Sequence, residues 1–82
     1  MPSVDFKGFS QYDQRELFEV RLDNRIDAVT FMGNFNFNRG NCMMDVEAYV
    51  DRLDDCLVKV TFTSRMTKEQ VETGIRNLLA IM

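Results

Sequence analysis

Between Glu16 and Met66 the chain alternates apolar and polar residues with period two, the mark of half-buried antiparallel strands. A first strand places Phe18, Val20 and Leu22 on one face and Leu17, Glu19 and Arg21 on the other. After a loop at 23–26, a second strand places Val29, Phe31, Gly33, Phe35 and Phe37 inward. Asn38-Arg39-Gly40-Asn41 supplies turn residues for left-handed positions. A third strand follows with Cys42, Met44, Val46, Ala48 and Val50 inward, and a fourth, after a turn at 51–55, with Val58, Val60 and Phe62 inward. Hairpin pairing keeps apolar residues on one face throughout. It sets Phe18 opposite Phe31, Phe35 opposite Met44 and Ala48 opposite Val58.

The C-terminal segment changes period. Thr67-Lys68-Glu69-Gln70 has the form of a capping box, and Val71, Ile75, Leu78, Leu79 and Met82 then form one helical stripe. Gly74 lies on that side, and close approach to the sheet, where Phe35 or Phe37 needs room, accounts for it. The expected architecture is therefore α+β: a four-stranded antiparallel meander over 14–66 followed by an amphipathic helix over 67–82 (ββββα), in one domain spanning 1–82, with 1–13 as an N-terminal segment.

This pattern leaves surface to be covered. Four strands at about 4.8 Å spacing present a face about 19 Å wide, and one helix about 10 Å across covers half of it. The N-terminal segment, through Val4, Phe6, Phe9 and Tyr12, or a second chain must cover the rest. The outer face is not cleanly polar either: Leu17, Met32, Met43, Tyr49 and Leu57 interrupt it and are the candidate protein-interface residues. Dimerisation through a sheet face or an outer strand edge follows, with the fourth strand as the favoured edge.

Composition narrows the chemistry. The 82 residues include no histidine, no tryptophan and two cysteines, which removes histidine-based acid–base catalysis, catalytic triads and His-ligated or four-cysteine metal sites. Asp45 and Glu47 share an open strand face with no pocket to raise a pKa, and Lys59 is expected opposite Glu47 as an ordinary cross-strand ion pair. Asp51, Asp54 and Asp55 crowd one turn without the spacing of a calcium loop. No catalytic residue, cofactor site or metal site is assigned. Cys42 and Cys56, at opposite ends of a hairpin, are out of disulfide reach.

The net charge of −3 is spread evenly and argues against nucleic acid as a partner, since each phosphate contact needs a cation. The alternative function rests on Phe31, Phe35 and Phe37, glycine-flanked aromatics on a strand that could stack bases. Four strands and a helix also form an element order that resembles Whirly and PUR-type single-strand binders, and that resemblance implies single-stranded nucleic-acid binding. No targeting signal or membrane-spanning run is visible, and reduced thiols place the chain in the cytoplasm. The reading that follows is a small acidic, non-enzymatic protein-binding module. It would act as a homodimer or as an adaptor, assembly factor or inhibitor of a larger machine, as some phage-encoded proteins do.

Overall fold

A computed structural model describes residues 1–38 and 45–82, except for the side chain of Asn38. Its elements are β1 (Ser3–Ser10), β2 (Arg15–Arg21), α1 (Arg25–Asn38), β3 (Val46–Val50), β4 (Leu57–Phe62) and α2 (Lys68–Ala80). The α+β class and the four-stranded antiparallel sheet hold, with a helix after the last strand. The meander does not.

The difference lies at 29–37, which is helix rather than strand. Asn24 caps it: its Oδ1 accepts from the Asp27 amide at 2.9 Å, and its carbonyl accepts from the Ala28 amide at 3.1 Å. Once the helix starts, Ala28, Phe31 and Phe35 fall on one stripe and are buried, with Met32 packed beside them. The fourth strand of the sheet comes instead from the N-terminal segment. β1 pairs with β2 so that Val4 faces Val20 and Phe6 faces Phe18. The pairing slips between Phe6 and Gly8, a bulge at which Gly8 adopts φ +95°, a conformation open to glycine and strained for other residues.

The sheet order is β1-β2-β4-β3, every neighbour antiparallel. β2 and β3 are therefore parallel with β4 between them, and α1 carries the chain across from one to the other. The fourth predicted strand, Leu57–Phe62, is central and not an edge. Phe18, expected opposite Phe31, lies between Phe6 and Val60, and Val20 between Val4 and Val58. The β3–β4 pairing is displaced by two residues from the expected one: Val50 faces Val58, Ala48 faces Val60 and Val46 faces Phe62. A two-residue shift keeps every side chain on its own face, so hydrophobic pattern alone cannot distinguish the two registers. Lys59 consequently faces Tyr49 and Glu19 rather than Glu47.

Both helices cover the same side of the sheet. Phe18, Val20, Val46, Ala48, Val58, Val60 and Phe62 from the strands, Ala28, Phe31 and Phe35 from α1, and Val71 and Ile75 from α2 form one buried cluster. The second cover over the inner face is thus α1. Neither a second chain nor the whole N-terminal segment supplies it: Val4 packs against the core, whereas Phe9 and Tyr12 are exposed. The predicted capping box is present. The Thr67 hydroxyl accepts from the Gln70 amide at 3.1 Å, and the Thr67 amide donates to Gln70 Oε1 at 3.0 Å. Gly74 is not a point of close approach, because a Cβ there meets open space and Phe37 is exposed.

Candidate functional site

The five predicted interface residues do not form one patch. Leu17 is half-buried and Tyr49 exposed on the outer sheet face, on β2 and β3, with β4 between them. Leu57 shares that face by parity but is only 8% exposed. Met32 belongs to α1 and packs against the core on the opposite side of the sheet. Met43 and Cys42 lie outside the described residues.

Three ion pairs lie on or beside the outer face. Lys7 approaches Glu19 at 3.8 Å, Lys59 approaches Asp51 at 3.9 Å, and Arg21 donates to Asp54 at 2.8 Å. Arg21 holds the Asp54 carboxyl below its ordinary range through this hydrogen bond, and the Cys56 amide adds a second at 3.1 Å. Asp54 in turn raises the Arg21 guanidinium. Asp54, Asp55 and Cys56 bring their ligand-type atoms within 4.8 Å of one another, but this turn is solvated and Asp54 is already engaged by Arg21.

Both outer strands have features that restrict further pairing. On β3 the Asn36 side chain bonds both the amide and the carbonyl of Ala48. On β1 the bulge at Gly8 breaks the ladder, and Asp5 and Lys7 place charge beside it.

The surface the sequence pattern hid is the outer face of α1. At 100° per residue, Ile26, Val29, Gly33 and Phe37 fall within an arc of about 80°, directly opposite the buried Phe31 and Phe35. Ile26 is 77% exposed, Val29 44% and Phe37 86%. Arg25, Ile26, Val29 and Thr30 line an open groove of about 320 Å³ at the N-terminal end of this stripe. From Ala28 to Phe37 the helix carries no charged residue, in a chain that is 28% charged. A helix apolar on two opposite faces is normally covered on both; among the described residues, only one face of α1 is covered. The legible signal is the series Ile26, Val29, Gly33 and Phe37 at i, i+3, i+7 and i+11, which a period-two reading divides between loop and strand.

The phenylalanines proposed to stack bases are accounted for differently: Phe31 and Phe35 are buried on a helix, which leaves Phe37 alone at the surface. No helix among the described residues is long and apolar enough to cross a membrane. Comparison of the chain with protein-family models, with characterised proteins and with solved structures finds no match.

Proposed function

We propose that this chain is a small non-enzymatic protein-binding module whose contact surface is the outer face of α1. One observation carries the reading: the solvent-facing stripe Ile26, Val29 and Phe37, uncharged along its length, on a helix whose other face is already buried. Depletion of charge with retention of aromatic and branched residues is the composition of an interface core. Such a module works as an adaptor, an assembly factor or an inhibitor of a larger protein, in the cytoplasm. The nucleic-acid alternative loses its stacking platform with Phe31 and Phe35 in the core, and the net charge of −3 opposes phosphate.

The test is site-specific photo-crosslinking. With benzoylphenylalanine in place of Phe37, irradiation in native lysate is expected to yield a protein adduct. The same probe in place of the exposed Arg76 on α2 serves as the control. Absence of any adduct at Phe37, or equal labelling at both positions, refutes α1 as the contact surface.

A further inference from the structure

The identity of the occupant can be argued further, on the reading that the outer face of α1 is a contact surface. We propose that it is a second copy of this chain, docked with α1 antiparallel to α1 about a two-fold axis near Gly33.

The stripe is self-complementary in that orientation. Val29 lies four residues before Gly33 and Phe37 four residues after it. A two-fold axis at Gly33 exchanges those levels, so Phe37 of each copy meets the groove lined by Arg25, Ile26, Val29 and Thr30 of the other. Both projections are accommodated at once, as an isologous interface requires. A parallel arrangement instead sets Phe37 on Phe37 and leaves groove facing groove. At the crossing point a Cβ on Gly33 meets nothing within 4 Å, so the backbone there is bare and the two helices can approach closely.

Charge favours the same arrangement. No charged side chain between Ala28 and Phe37 is brought against its own copy. Asp27, the acidic residue of the first turn, lies to the side and is engaged with Asn24. The alternative routes to a dimer are obstructed, by Asn36 on β3 and by the Gly8 bulge on β1.

Size sets the strength. A 14-residue helix is about 21 Å long, and a stripe about 10 Å wide on it covers roughly 200 Å² per copy, about a quarter of what one partner contributes to a standard interface. The association is therefore weak and concentration-dependent, on the order of micromolar to millimolar rather than nanomolar.

Sedimentation equilibrium from about 10 µM to about 1 mM samples that range. The average mass is expected to climb from 9.6 kDa toward twice that value. Phe37→Asp should weaken association at least ~10-fold and so keep the mass near 9.6 kDa up to about 100 µM, and its thermal melt should match the parent's because Phe37 is exposed. The register is read in a Cys42→Ser, Cys56→Ser background by mixing a Val29→Cys protein with a Phe37→Cys protein and adding a short bismaleimide. The expected product joins position 29 to position 37.

A mass that stays at 9.6 kDa to the top concentration overturns the proposal, as does a dimer that survives Phe37→Asp. Predominant linkage of 37 to 37 overturns the antiparallel register. A constant monomer that still gives a Phe37 photo-adduct with another protein removes only the second copy as occupant. A constant monomer without an adduct removes the contact surface as well.

Discussion

Asn36 of α1 bonds the backbone of Ala48 twice: its Nδ2 donates to the Ala48 carbonyl at 2.9 Å, and its Oδ1 accepts from the Ala48 amide at 3.0 Å. A primary amide presents a donor and an acceptor side by side, as the N–H and C=O of one residue on an antiparallel neighbour do, so one side chain stands in for a missing neighbouring strand. The pair also sets the position of α1. It anchors the helix to the outer strand through its flank, while Phe31 and Phe35 bury one face and the face with Phe37 is left to solvent.

Asn36→Ala is expected to lower unfolding free energy by about 1–3 kcal/mol, two hydrogen bonds at roughly 0.5–1.5 kcal/mol each. Asn36→Asp should cost at least as much, because a carboxylate then faces the Ala48 carbonyl. Urea denaturation monitored by circular dichroism measures both. Changes below about 0.3 kcal/mol would show that water replaces the amide without loss.

Two glycines should respond in opposite directions to alanine. Gly8→Ala forces a Cβ onto a backbone at φ +95° and is expected to destabilise by about 1 kcal/mol or more. Gly74→Ala adds a Cβ in open space within α2 and is expected to stabilise by up to about 1 kcal/mol. Thermal melts of the two variants side by side decide the matter, and shifts of the same sign would contradict the assigned backbone.

The outcome at 28–37 shows where sequence pattern loses resolution. Phe31 and Phe35, like Val29, Gly33 and Phe37, are spaced by four, and a spacing of four satisfies both the strand period and the helical one. Phenylalanine and valine then tip the choice toward strand. The discriminating residues lie outside that set: Ala28, buried beside Phe31, and Asn24 with Asp27, which start the helix. Residues 57–62 and the Thr67 capping box were legible because nothing competes with their period. β1 was not, because the bulge at Gly8 breaks its alternation between Phe6 and Phe9. The candidate surface went unread for the same reason as α1: it exists only once Ile26, Val29 and Phe37 are wound onto a helix.

The hydrogen bond between Arg21 and Asp54 sets the sign of a pH dependence. The Asp54 carboxyl is held below its ordinary value by Arg21, so its contribution to stability is present above the unfolded-state pKa of about 3.9 and is lost as pH falls through the lower folded value. The raised Arg21 pKa leaves that side chain charged throughout this window. Asp54→Asn should therefore lower the urea midpoint at neutral pH, and the gap to the parent should close in acid. Because both groups are solvated the gap is small, and added salt should narrow it. A gap that widens below pH about 3.9 would reverse the sign.

Removal of residues 1–13 tests whether β1 is integral to the fold. Without it β2 loses one of its two partners, exposing backbone groups along Arg15–Arg21, and Phe18 and Val20 lose the cover that Phe6 and Val4 provide. The Phe6 and Phe18 rings lie 5.1 Å apart, and the Lys68 ammonium sits 4.5 Å from the centre of the Phe6 ring, so the same deletion uncouples β1 from α2. Phe6 remains 38% exposed, and Phe6→Ala alone should cost about 1–2 kcal/mol, less than the roughly 3–5 kcal/mol of a fully buried phenylalanine. Tyr12, fully outside the core, should tolerate alanine within about 0.5 kcal/mol. The truncated chain is expected to lose its cooperative melt and its hydrogen-exchange protection at Val58 and Val60, which pair with Val20 and Phe18 in the centre of the sheet. A truncated protein that still melts cooperatively with those amides protected would mean that three strands and two helices suffice, and that β1 is an addition to the core rather than part of it.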